Sequence, residues 1–180
     1  MKEKTVYTIA TAHLDTIWNW SFETTISKYI PKTLDRNFAY FKKYPEYKFN
    51  FEGSYRYELM EEYYPEKFEE LKKYIEAGKW NVTGSAYENG DVNIPSPEAL
   101  FRNFLYGNSY FDKKFGKRST DVYLPDCFGF GYALPAIAEH SNIKGFTTQK
   151  LSWGSAYGTP FDIGKWYGVN GKYILASIKM

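Results

Sequence analysis

The sequence predicts an α/β fold in which parallel strands alternate with helices packed outside the sheet. Five short runs of strand-forming residues are separated by stretches whose apolar residues recur every three or four positions. No crossover that would reverse the sheet is evident, so an open sheet and an incomplete barrel both satisfy the pattern. At 180 residues the chain is of one-domain size and long enough to bury a proper core.

The first strand draws on the strand formers Val6, Tyr7, Thr8 and Ile9, and the small residues Ala10, Thr11 and Ala12 suit close packing on both faces. From about Ser21 to Tyr44 the spacing of Phe22, Ile26, Tyr29, Ile30, Leu34, Phe38 and Phe41 is helical. Pro31 is expected to kink or split this helix, and Pro45 to end it. Tyr47 to Ser54 alternates as a second strand. The stretch from Tyr55 to Ala77 is helical, with Pro65 placed to begin its second half and Gly78 to occupy the left-handed position after it. Lys79 to Gly84 gives a third strand, and Ser85 to Pro95 a loop containing Glu88, Asp91 and Asn93. Ser96, Pro97 and Glu98 form a helix start: a cap, a first-turn proline and an acid at the positive end of the dipole. That helix runs to Gly116. Asp121 to Asp126 reads as a fourth strand, Leu134 to His140 as a short helix and Gly145 to Lys150 as a fifth strand. Phe161 to Ile178 reads as a hairpin around Val169, Asn170 and Gly171.

A formal net charge of +2 argues against nucleic acid or an anionic membrane as partner. Aromatic residues make up 21% of the chain, and Tyr and Trp line sugar sites as well as cores. Cys127 is the only cysteine, so no internal disulfide can form, which fits a reducing compartment. The start, Met1 to Tyr7, is too short and polar for a signal peptide, and no run of ~18 apolar residues follows. A soluble, cytoplasmic protein is the expectation. Tyr173 to Met180 reads as a strand stopped in mid-course, which leads us to expect a fragment of something longer.

Chemistry concentrates at strand ends, where α/β folds of either kind collect their sites. His13 and Asp15 are two residues apart and point the same way at the end of the first strand, as half of a zinc site would. A core histidine beside a turn-capping aspartate is the plainer alternative. Asp126 follows the fourth strand, between Pro125 and a glycine-aromatic loop in which Gly129 and Gly131 let the backbone turn beside a ligand. There too an aspartate that merely caps the next turn is the plainer alternative.

Taken together, these segments resemble the α-mannosidases of glycoside hydrolase family 38. His13-Leu14-Asp15-Thr16-Ile17-Trp18 is similar to the family's His-x-Asp-x-x-Trp motif, and Leu124-Pro125-Asp126-Cys127-Phe128-Gly129 through Leu134-Pro135 to its nucleophile segment. Glu88 to Asn93 with Pro95, Ser96 and Glu98 resembles its acidic substrate-side loop, and Gly145 to Trp153 a segment of its bacterial members. The resemblance implies the N-terminal part of a (β/α)7-type catalytic barrel, residues 1–180 forming a single partial domain. It implies a retaining exo-glycosidase for α-linked mannose, with Zn2+ or another divalent metal held by His13, Asp15 and Asp126. Asp126 would also be the nucleophile, Trp18 an apolar wall for the sugar, and Asp91 or Glu88 substrate-side groups. The physical logic is coherent: one carboxylate forms the glycosyl-enzyme, and a metal beside it keeps that carboxylate ionised.

Two parts of that machinery are expected beyond residue 180: a further metal-binding histidine and the acid/base carboxylate. His140 reads as structural, and Asp162 matches no motif. The resemblance also implies a glycan partner and leaves room for an oligomer in the longer enzyme. Two alternatives belong to other classes. A metal-dependent polysaccharide deacetylase uses a similar strand-end pair but cuts an amide, and the segment around Asp126 argues against it. A non-catalytic sugar-binding module is the third reading.

Overall fold

Alternation along each strand resolves into one face turned to helices and one turned to a polar concavity. The computed structural model describes residues 4–5, 8–153, 158–159 and 161–178. Strands β1 (Ala10–Ala12), β2 (Phe49–Glu52) and β3 (Trp80–Thr83) form a parallel sheet in sequence order. In a second sheet β4 (Asp121–Tyr123), β5 (Gly145–Thr147) and β7 (Tyr173–Ser177) are parallel, and β6 (Ile163–Tyr167) pairs antiparallel with β7. The expected hairpin therefore forms; its second strand, β7, pairs with β5, and its first, β6, lies at the sheet edge. Thr11, Asn50, Thr83, Asp121, Thr147 and Ser177 line the shared concavity, a cavity of 660 Å³.

Strands are shorter than the sequence suggests, for local reasons. β1 begins only at Ala10; Val6 and Tyr7 lie outside the described residues, as do Lys179 and Met180, which the sequence places in the last strand. β4 ends at Tyr123 and not at Asp126. The Leu124 N–H still reaches the Thr147 carbonyl at 2.9 Å, but Pro125 has no N–H with which to continue the ladder.

The proline-split helix takes a definite form: α1 (Phe22–Thr24), a π turn (Thr25–Tyr29) and α2 (Ile30–Lys43). Pro31 cannot donate back to Ser27, and the chain accommodates this by widening the preceding turn, with the Ile30 N–H bonded to the Thr25 carbonyl. Pro65 opens α4 (Pro65–Glu76) directly after α3 (Ser54–Tyr63). Gly78 follows α4 at φ +67°, as the sequence requires. Helix α5 (Pro97–Phe115) is capped by the Ser96 hydroxyl, which accepts from the Ala99 N–H at 3.2 Å, and it closes on Gly116 at φ +61°. Helix α6 (Leu134–His140) leads into β5. Among the described residues no helix is long and apolar enough to cross a membrane.

Two hydrophobic cores lie behind the sheets. One gathers Ile30, Leu34, Phe51, Tyr57, Phe68 and Trp80 between β1–β3 and helices α2–α4; the other gathers Val122, Ile137, Phe146 and Ile174 between the second sheet and α6. Helix α5 belongs to both, giving Leu100 and Phe104 to the second core and Phe111 to the first. Midway between them sits Gly107, where a Cβ would stand 2.2 Å from the Ser85 carbonyl oxygen. The helix thus lies directly on the loop after β3. Although alanine is the better helix former, Gly107→Ala should lower stability by about 2 kcal/mol or more through overpacking, read as a drop in denaturant midpoint at constant m-value.

Candidate functional site

His13 stands one residue past β1, and its ring is fixed by Glu52, a residue the sequence reading passed over. Ala12 is in register with Phe51, so His13 and Glu52 are the next pair at the ends of adjacent parallel strands. Glu52 is fully buried, and its Oε1 lies 2.5 Å from His13 Nδ1. A carboxylate only accepts, so Nδ1 carries the proton and Nε2 is left to face Asp15, whose Oδ1 is 3.3 Å away. Burial pulls the imidazole pKa down and so does Arg56, but the hydrogen bond and charge of Glu52, with the charge of Asp15, outweigh them and raise it above 6.5.

Leu14 turns into the core between the two polar side chains. Its carbonyl accepts from Nε of the buried Arg56 at 2.6 Å. Arg56 Nη2 pairs with Glu88 at 2.7 Å, and the other oxygen of Glu88 accepts from the Thr16 hydroxyl at 2.7 Å. Glu88 is held in turn by Asn103 of α5, whose side chain bonds its N–H at 3.0 Å and its carbonyl at 2.9 Å.

Asp126 sits on the loop after β4, where Lys150 Nζ pairs with its Oδ1 at 2.5 Å. That ammonium also lies 3.3 Å from the centre of the Trp153 ring and 4.9 Å from that of Phe128. Among the described residues no three His, Cys, Asp or Glu side chains gather in a group ready to hold a metal. Asp91 is exposed and accepts from the Asn93 N–H at 2.7 Å, closing a turn. On the loop after β4, Gly129 and Gly131 face Asn93 of the β3–α5 loop; a Cβ on Gly129 would lie 2.7 Å from its amide nitrogen. Trp18 is 68% exposed and meets Trp20 edge-on at 5.7 Å. His140, at the exposed end of α6, is edge-on to Phe101.

Glu52, Arg56 and Lys150 are the residues sequence reasoning missed. Glu52 carried a readable signal, since the strand-end rule that selected His13 applies equally to an acid closing β2 before a glycine.

A family model described as "Glycosyl hydrolases family 38 N-terminal domain" matches residues 3–180. The chain belongs to glycosyl hydrolase family 38. It is 36% identical over 170 residues to alpha-mannosidase G of Dictyostelium discoideum, covering 94% of this chain and 16% of that protein. Against human alpha-mannosidase 2C1 the identity is 30% over 173 residues, covering 96% and 16%. The fold is that of an alpha-mannosidase from Enterococcus faecalis, with a TM-score of 0.83 at 24% identity over 94% of this chain and 19% of that one. The family 38 chain thus spans about one-sixth of the length of the curated relatives it matches.

The zinc that the family resemblance implies can be tested against the donors present. Two ligands about 2.0–2.2 Å from one tetrahedral zinc stand about 3.4 Å apart. His13 Nε2 and Asp15 Oδ1 are 3.3 Å apart, long for a charge-assisted hydrogen bond and right for that pair. Glu52 on Nδ1 is the outer carboxylate that metal-bound histidines carry. These two donors fit.

Because Glu52 and Asp15 raise the folded-state pKa of His13, their stabilisation is complete below pH ~6.5 and is lost as pH rises through the raised value. Glu52→Gln should lower the His13 midpoint in an imidazole NMR titration and flatten this limb of the stability profile. Burial, with the charges of Asp91, Glu52 and Asp126, pushes the Cys127 thiol up to about 12. The native thiol should therefore react with iodoacetamide at pH 8 at least ~100-fold more slowly than the unfolded chain, as followed by mass spectrometry.

Proposed function

We propose that this chain is the N-terminal part of the catalytic domain of a zinc-dependent retaining α-mannosidase that removes terminal α-linked mannose. Its two sheets would be the first part of the (β/α)7-type barrel. The His13–Asp15 pair carries the reading, with its zinc-like 3.3 Å separation and with Nδ1 committed to Glu52. His13 and Asp15 would hold the metal, with Asp126 as a third ligand. When bound, zinc supplies positive charge beside the nucleophile and a Lewis acid for the vicinal hydroxyls of mannose.

The chain's own residues divide the remaining work. Lys150 holds one oxygen of Asp126, leaving the other to attack the anomeric carbon as the glycosidic bond breaks. The departing oxygen takes its proton from a carboxylic acid supplied beyond residue 180. The same residue then deprotonates the water that cleaves the glycosyl–Asp126 ester, with net retention. Trp18 and Asp91 would flank the substrate. On this reading residues 1–180 alone turn over little, because the acid/base carboxylate and a further metal ligand belong to the longer enzyme. A lone buried thiol supports a cytoplasmic location.

The test is hydrolysis of an aryl α-mannoside by the protein extended to the length of its relatives. Zinc-dependent activity, lost with a chelator and restored by the metal, is the expected result. Asp126→Asn should lower kcat on the order of ten-thousand-fold. Acetate release from acetylated sugars without mannosidase activity would replace this reading with the deacetylase. Binding of mannosides without turnover would replace it with the sugar-binding module.

A further inference from the structure

We propose that Arg56 and Glu88 act as one positioning unit that locks the His13–Thr16 loop and so sets the affinity of the His13–Asp15 pair for a divalent cation. This rests on the metal reading above. The unit grips the loop on both sides of Asp15: Arg56 Nε takes the Leu14 carbonyl before it at 2.6 Å, and Glu88 takes the Thr16 hydroxyl after it at 2.7 Å. The Arg56–Glu88 ion pair at 2.7 Å joins the two grips, and Asn103 anchors Glu88 to α5 through both of its backbone groups.

Stability alone does not account for Arg56. A buried guanidinium is a costly way to fill a core, and an apolar side chain of like volume does so at least as well. This one is 1% exposed, and among the described residues its Nη1 finds no hydrogen-bond partner. The fold also makes room for it. Gly53, at φ +73° between β2 and α3, would carry a Cβ only 2.3 Å from Nη1, so any side chain at that position would displace the guanidinium. The polar bonds Arg56 does make lead to Leu14 directly and to Thr16 through Glu88. Arg56→Lys should not replace it, because an ammonium lacks the fork that reaches a carbonyl and a carboxylate together.

The experiment measures Zn2+ affinity of the chain by competition with a chromophoric chelator, for wild type, Thr16→Val, Thr16→Ser, Glu88→Gln and Arg56→Lys. Thr16→Val replaces only the loop hydroxyl and Thr16→Ser keeps it, so the pair keeps the test informative where Arg56→Lys fails to fold. Affinity should fall 10–100-fold in Thr16→Val and Glu88→Gln and be kept within about twofold in Thr16→Ser. A second readout needs no metal. The chain has two histidines, so the His13 imidazole nitrogens are readily assigned by NMR. They should be sharp with Nδ1 protonated in wild type and Thr16→Ser, and broadened in Thr16→Val and Glu88→Gln. Wild-type affinity in both of those variants overturns the positioning unit. If wild type itself binds no zinc, the metal reading fails separately. The imidazole spectra then decide, broadening in the variants supporting a locked loop and unchanged spectra overturning it.

Discussion

A carboxylate with no exposure to water has to be compensated where it lies, and Glu52 imposes that condition on everything around it. Its position at the end of β2 follows from alternation: Phe49 and Phe51 point into the first core, so Asn50 and Glu52 must face the other way. Parallel register then brings His13 to it. Once Nδ1 is engaged, the imidazole has one free nitrogen, and the only freedom left is where the loop carries Asp15. That loop is tied down by the second buried charge, Arg56, the third residue of α3. Two buried ions of opposite sign therefore fix one short turn.

Much of the scaffold was legible because single residues dictate it. Pro31 and Pro65 divide helices, Ser96 and Gly116 bound α5, and Gly78 ends α4 in the left-handed conformation. Strand ends were less legible. Where the chain leaves a ladder depends on which partner still presents a carbonyl, and Pro125 decides it only because β5 is the neighbour. The site divides along the same line. His13, Asp15 and Asp126 were visible as residue types in a recognisable order. Glu52 was legible only as an acid at a strand end, without its burial, and Arg56 not at all, because in sequence it is one more charge in a chain rich in them. Lys150 was hidden for a different reason: its partner is far away in sequence, and no periodicity links a residue after β5 to one after β4.

The parts of the site rest on different supports. His13 and Asp15 belong to the first sheet through Glu52 and Arg56, whereas Asp126 belongs to the second through Lys150. Between them the sheets meet at a seam made of side chains. Thr83 donates to the Asp121 carboxylate at 2.8 Å, and the Ser85 N–H and hydroxyl both donate to the Asp121 carbonyl at 2.8 Å. Ser119 bonds the same carboxylate and is itself held by Asn108 of α5 through its N–H at 2.9 Å and its carbonyl at 3.1 Å. Across the concavity, the hydroxyls of Thr11 and Tyr123 meet at 3.1 Å, joining β1 to β4.

Such a seam is short-ranged and directional, so it fixes how far Asp126 stands from the His13–Asp15 pair more tightly than apolar contact would. Helix α5 reinforces it from behind, because the same helix packs into both cores, carries Asn103 to Glu88 and carries Asn108 to Ser119. The two asparagines lie five residues apart on either side of Gly107, where the helix presses on the backbone of the loop after β3, and the Asn103 carbonyl accepts from the Tyr87 N–H of that loop at 2.9 Å. One helix thus sets the height of the loop that grips Thr16 and the position of the seam that leads to Asp126. The geometry between the His13–Asp15 pair and Asp126 is in this way a property of α5 as much as of the strands whose ends carry these residues.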